Sequence, residues 1–171
     1  MILRILVSAL LASLLQACTF QSSQLNTVRA LFDRPPKSDF EWVARYGART
    51  QPVIAVNQEP FIVFANNQET AIAFDGWRIR SIAGFGLKSP IKIAYKQDDP
   101  IFQVGGKTRR HRCSEWRFNK MPMGGAWQQT CEADFYYQNS VALDTEGRII
   151  RISQVIDATG TRLLLEKTQV D

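Results

Sequence analysis

Two regimes of hydrophobic patterning divide the chain. From Ile5 to Leu15 the residues are mostly apolar without alternation, and the run follows a single positive charge at Arg4. Beyond residue 50 the pattern changes to short apolar segments bounded by turn residues: "VIAV", "FIVFA", "AIAF", "WRIRSIA", "IKIAY", "IFQV", "DFYY", "SVALD", "RIIRISQVI" and "TRLLLEK". A period of two marks strands with one buried face. Strands this short and this closely spaced predict a mainly β fold, an antiparallel meander forming a curved sheet, a sandwich or a partly open barrel. Between the two regimes Leu25, Val28, Leu31 and Phe32 recur at helical spacing until Pro35 and Pro36 end the element. Next, "SDFEWVARYG" offers an N-cap at Ser38 or Asp39 and places Phe40, Val43 and Ala44 on one side. One or two short N-terminal helices are therefore expected ahead of the sheet.

Turn chemistry sharpens the β region. Asp75-Gly76 lies between two β-rich runs and reads as a two-residue hairpin turn. It pairs Phe74 with Trp77, Ile72 with Ile79, and Ala71 and Ala73 with Arg80 and Arg78. Asp144 to Gly147 and Thr159-Gly160 supply two more turns. A chain of 171 residues suits one core, and no linker calls for another.

The N-terminal run is too short for a spanning helix, which needs about 20 apolar residues. It has the shape of a signal peptide, and its end, "LQAC", looks like a bacterial lipobox in which Leu15, Gln16 and Ala17 precede a lipidated cysteine, Cys18. A secretory signal that merely adjoins a cysteine and a buried core helix are the alternatives. The leading reading divides the chain into a lipoprotein signal peptide at 1–17, a lipidated tether with a short helix at 18–36, and a single β-rich domain at 37–171. Acyl chains of the palmitate type on Cys18 would hold the mature chain to a membrane. Thr19 rather than Asp follows the cysteine, which in enterobacterial-type sorting implies the outer membrane, with the domain on its periplasmic side.

Export leaves an even pair of cysteines, Cys113 and Cys131, expected to form a disulfide. The residues between them read as a hairpin, "CSEWRF" and "AWQQTC" about the loop "NKMPMGG". In that register Glu115 faces Gln129 and Arg117 faces Trp127, while Ser114, Trp116 and Phe118 point to the opposite side.

Charge and candidate chemistry add less. The net charge of +5 is spread along the chain; no nucleic-acid partner is expected. Its densest part is "KTRRHRC". As a strand, this puts Lys107, Arg109 and His111 on one face and Thr108, Arg110 and Arg112 on the other. Such a strip is either a wet edge strand protected by charge or a contact for an anionic glycan or lipid phosphate. His111 is the chain's one histidine; it reads as solvated, its pKa lowered by neighbouring cations. Asp98-Asp99 precede Pro100 in an evident turn, and "GGKTRR" lacks the spacing of a phosphate loop. No catalytic residue, metal ligand set or cofactor site is therefore expected. Trp77 and Trp116 alternate with apolar residues and read as core, leaving Trp127 as the exposed tryptophan. The candidate contact surface is Arg109, Arg110, Arg112 and Trp127.

The order of features resembles the YjbF/GfcB lipoproteins encoded with group 4 capsule and related exopolysaccharide systems. The resemblance runs over most of residues 18–168, from the lipobox and a short helix ending in "LF" to "DGWRIRSIAGFG" and "VALDTEGRIIRISQVI". That family carries a Gly-Arg strand running into Thr-Ala-Gly-Leu-Gly; here Gly76, Arg80, Ala83, Gly84 and Gly86 fall in comparable places, with Ser81-Ile82 where a Thr is usual and Phe85 in place of Leu. The resemblance implies an outer-membrane lipoprotein that assists capsule or exopolysaccharide secretion or assembly without catalysis, in contact with polysaccharide export proteins or an anionic glycan. The runner-up expectation is a lipid or lipoprotein carrier with an apolar concavity. A polysaccharide-modifying enzyme comes last.

Overall fold

In a computed structural model, the structure describes residues 41–104 and 106–168. The lipobox, Cys18 and the helix expected at Leu25–Phe32 lie outside the described residues. The described part is all strand and turn. In chain order the strands are β1 (Trp42–Tyr46), β2 (Arg49–Gln58), β3 (Phe61–Ala65), β4 (Ala71–Phe74), β5 (Ile79–Ala83), β6 (Ile91–Lys92), β7 (Ala94–Lys96), β8 (Asp99–Val104), β9 (Lys107–Arg110), β10 (Arg112–Cys113), β11 (Arg117–Met121), β12 (Gly124–Glu132), β13 (Tyr136–Leu143), β14 (Ile149–Val155) and β15 (Arg162–Lys167).

Twelve of them make one antiparallel sheet in the order β10-β12-β13-β14-β15-β1-β2-β3-β4-β5-β6, with β11 also on β12. A small sheet, β7-β8-β9, holds the rest. The large sheet is strongly curled into a half-barrel, and its core shows why. Alternate residues of well-separated strands, Val53, Phe64, Ile72, Val141, Ile152 and Leu165, belong to one buried cluster. A flat sheet of this width could not bring β3 and β13 into one core; curling lets one continuous face close on itself.

The second helix expected in "SDFEWVARYG" is a strand over Trp42–Tyr46. β1 sits between β15 and β2, with Ala44 opposite Leu165 on one side and Gln51 on the other. Trp42 and Ala44 are buried on the period of two, and Trp42 meets Phe64 edge-on at 5.0 Å. Two neighbouring ladders and a buried aromatic outweigh the weak local helix signal.

Two glycines of the "GFG" segment have steric reasons. Gly84 has φ +85°, and a Cβ there would lie 2.7 Å from the Cα of Thr70. Gly86 has φ +65° beneath the Arg49 guanidinium, with Nη1 only 1.6 Å from where a Cβ would stand. At Gly84 a left-handed backbone meets the backbone of Thr70 and Glu69, which excludes a side chain, whereas at Gly86 the positive φ favours glycine and the close neighbour is the flexible end of Arg49.

Candidate functional site

The β4–β5 loop is four residues long, not two. Phe74 pairs with Ile79, and a bulge puts Ile72 opposite Ile82 and Ala73 opposite Ser81. The Asp75 carboxylate accounts for the difference: its Oδ1 accepts from the N–H groups of Trp77 at 3.0 Å and Arg78 at 2.8 Å. A carboxylate that satisfies two backbone donors of its own turn makes the longer loop self-supporting.

A second clamp comes from across the barrel. Gln154 on β14 is 2 % exposed; its Nε2 donates to the Trp77 carbonyl at 2.6 Å and its Oε1 accepts from Ile79 N–H at 3.0 Å. The loop thus presents Trp77, 40 % exposed, on a backbone held from both sides. Trp77, expected in the core, is the most solvent-exposed of the trio, while Trp127 and Trp116 are half-buried against the core. Trp77 meets Trp127 edge-on at 5.1 Å and Trp116 at 5.8 Å.

These rings, with Arg78 and Asp98, line an open concavity of about 340 Å³. Arg78 donates from Nη1 to the Gln97 carbonyl at 2.7 Å, and its Nη2 lies 3.6 Å from Asp98 Oδ1. The guanidinium groups of Arg78 and Arg80 each sit 5.1 Å from the ring centre of Tyr95. Tyr95 donates to the Ile79 carbonyl at 3.0 Å, and burial drives its phenol far above the usual range, assisted by Asp75. Among the described residues three buried side-chain atoms have no hydrogen-bond partner, and two of them, Arg78 Nε and Trp116 Nε1, belong to this lining.

The cysteine hairpin explains how three aromatic rings from separate segments converge. Cys113 stands opposite Cys131 and is joined to it, with Cα atoms 4.1 Å apart. Beyond that point the ladder slips by one: Arg117 faces Gln128 and Phe118 faces Trp127, where the regular register had Arg117 facing Trp127. Residues 114–116 leave the strands, and Ser114 bonds Thr130 through both its N–H and its hydroxyl while its carbonyl accepts from Gln129. The turn is also tighter than "NKMPMGG", with Met121 opposite Gly124. The slip brings Phe118 and Trp127 together, ring centres 5.3 Å apart, and leaves Trp116 beside Trp77.

The basic segment lies elsewhere. β9 is the edge of the small sheet and exposed throughout. Arg109 pairs with Asp134 at 3.2 Å and Arg110 with Asp99 at 2.6 Å; Arg112 stands opposite Glu132 on β12. With His111, Ala133, Glu132 and Asp134 these arginines line an open concavity of about 440 Å³. Trp127 does not line it: Glu132 stands five positions further along β12, roughly 16 Å of strand. The expected surface is therefore split between two concavities.

His111 is not solvated. It is 2 % exposed, with Nδ1 2.9 Å from Tyr137 Oη and the rings of Phe102, Tyr137 and Phe135 at 4.8, 5.6 and 6.0 Å. Its pKa is lowered first by burial; Asp134 opposes this and Arg109 adds to it. The strand ends at Arg110, and the chain turns inward, His111 N–H donating to the Pro100 carbonyl. The cationic neighbours are a minor cause. Among the described residues no three His, Cys, Asp or Glu side chains converge as a metal site.

Gln154, which fixes the tryptophan loop, was missed in the sequence. Its signal was there: Ile152, Gln154 and Ile156 fall on one strand face, and a polar residue in an apolar stripe has a buried partner.

No protein-family model matches the chain, and no curated protein matches it. Among solved structures it is similar to the crystal structure of the hypothetical lipoprotein YmcC from Escherichia coli K12, with a TM-score of 0.54 over 85% of this chain and 95% of that one. The two are 12% identical, so the likeness is one of fold.

Proposed function

We propose that this chain is an outer-membrane lipoprotein, anchored through Cys18, that assists capsule or exopolysaccharide secretion by contact and without catalysis. The observation that carries the reading is a coincidence of sequence and fold. A chain with "LQAC" at residues 15–18 shares its half-barrel with a protein described as a hypothetical lipoprotein. The exopolysaccharide role is supported by the resemblance of its "DGWRIRSIAGFG" and "VALDTEGRIIRISQVI" segments to lipoproteins of capsule systems. A contact role is supported over a carrier role because Phe64, Phe74, Ile72 and Leu165 fill the inside of the curl. The position of His111, closed in by three aromatic rings, supports a non-catalytic reading.

Two measurements test this. Metabolic labelling with tritiated palmitate should mark the wild-type chain and not Cys18→Ser. Deleting the gene should lower surface polysaccharide without slowing growth. An unlabelled wild-type chain refutes the anchor, and unchanged polysaccharide after deletion refutes the export role.

A further inference from the structure

We propose that the concavity bounded by Trp77, Trp116 and Trp127 binds one pyranose unit of a neutral glycan, stacked on Trp77 with its hydroxyls shared between Arg78 and Asp98. The proposal deepens the export reading by naming the ligand class of the contact, and it rests on that reading only for why the glycan is encountered.

An exposed indole on a wandering loop would lose conformational entropy on every binding event. Trp77 is held at its N–H by Asp75 and at its carbonyl by the buried Gln154. A buried glutamine spends both ends of its amide on this loop, so the exposed ring is presented rather than left over.

Arg78 and Asp98 lie 3.6 Å apart at the rim, with side chains 25% and 40% exposed. Arg78 spends one N–H on the Gln97 carbonyl, and its remaining terminal N–H groups and the Asp98 carboxylate offer donors and acceptors with no net charge. A sugar hydroxyl both donates and accepts, so a pair of adjacent hydroxyls can satisfy both groups, while the apolar face of the ring covers an indole. An acyl chain would desolvate both ions without replacing their hydrogen bonds. An acidic sugar would bring its carboxylate beside that of Asp98.

Arg78 Nε and Trp116 Nε1 are N–H donors without acceptors. Both are closed to solvent in this structure, so binding requires the surrounding side chains to shift before a ligand oxygen meets them. Leaving such donors unmet is costly, and a hydroxyl oxygen accepting from either recovers part of that cost. The concavity's about 340 Å³ falls within the roughly 300–1,000 Å³ of small-molecule sites.

The test is two-dimensional proton–nitrogen NMR of the full chain in lauryldimethylamine oxide micelles, which contain no sugar. Maltohexaose, cellohexaose and xylohexaose serve as neutral probes and hexagalacturonate as the acidic one. At least one neutral probe should move the indole N–H signals of Trp77 and Trp116, the latter downfield as it gains an acceptor. Trp77→Ala should weaken that binding roughly tenfold, a loss typical of an aromatic anchor; Arg78→Gln should weaken it several-fold, and Arg109→Gln should not. Silence with all three neutral probes, tighter binding of hexagalacturonate, or wild-type binding by Trp77→Ala would each overturn the proposal. Glycan binding together with normal surface polysaccharide in the deletion strain would refute the export reading and leave the site standing.

Discussion

The basic edge strand and the tryptophan loop invert what their sequences advertise. Three arginines in four residues make "RRHR" the most conspicuous polar feature of the chain. In the fold, Arg109 and Arg110 are each matched by a carboxylate and Arg112 faces Glu132. The tryptophan loop reads as core, yet it exposes an indole on a clamped backbone beside two donors with no acceptor. Charge density along a strand measures local repulsion that the fold must neutralise. Buried donors left unmet beside a fixed, exposed ring are better evidence of a binding site.

The largest effect that separates the two regions concerns the disulfide, which ties β10 to β12 one residue from Arg112 and Glu132 of the basic concavity. Replacing Cys113 and Cys131 by Ala should lower unfolding free energy by about 3 kcal/mol, for a loop with a separation of 18 residues. Urea titration without reductant measures it, and the indole signals of Trp77 and Trp116 should stay in place. If those signals broaden, the two regions are mechanically one.

Gln154→Leu comes next. It leaves Ile79 N–H and the Trp77 carbonyl without partners in a buried setting, at a cost of about 2 kcal/mol. Its sharper signature is local: hydrogen exchange at Ile79 should quicken more than at Ile152. Equal exchange at the two sites would show that the loop does not depend on the glutamine.

On the basic side, His111 should make stability depend on pH. Its folded pKa lies below the unfolded value of about 6.5 because burial disfavours the imidazolium. Below that pH the unfolded chain binds a proton that the folded one refuses, so stability is fully present above about pH 6.5 and declines as pH falls toward the folded pKa. The midpoint of thermal unfolding should therefore drop between pH 7.5 and 5.5. As the chain has one histidine, His111→Phe should flatten this stretch of the profile; an unchanged slope would assign it to another group.

The smallest effect is the loss of the exposed ion pairs. Arg109→Gln with Arg110→Gln should cost no more than about 1 kcal/mol, since both guanidinium groups face solvent. A cost of several kcal/mol would mean that the small sheet depends on its edge charges.

The strand content was legible because the alternation of "AIAF" and "TRLLLEK" survives in β4 and β15, whereas in β14 the four residues Ile152 to Val155 are all buried. So was the turn at Asp144, whose amide donates to the Arg148 carbonyl. Registers failed where side chains took over backbone bonding: Asp75 lengthened one turn, and Ser114 with Gln129 and Thr130 shifted a ladder by one residue. The longer turn leaves Trp77 in the loop rather than on a strand face, which is why it is exposed, and the slip of the ladder sets Trp127 against Phe118. β1 was hidden because its strand character comes from β2 and β15, distant in sequence.

The most direct test is complementation of the gene deletion with Trp77→Ala on one side and Arg109→Gln, Arg110→Gln and Arg112→Gln together on the other, at matched membrane levels. Surface polysaccharide should stay near the deletion level with Trp77→Ala and return to the wild-type level with the triple variant. Full restoration by Trp77→Ala with failure of the triple variant would contradict the account and return the contact to the basic strand.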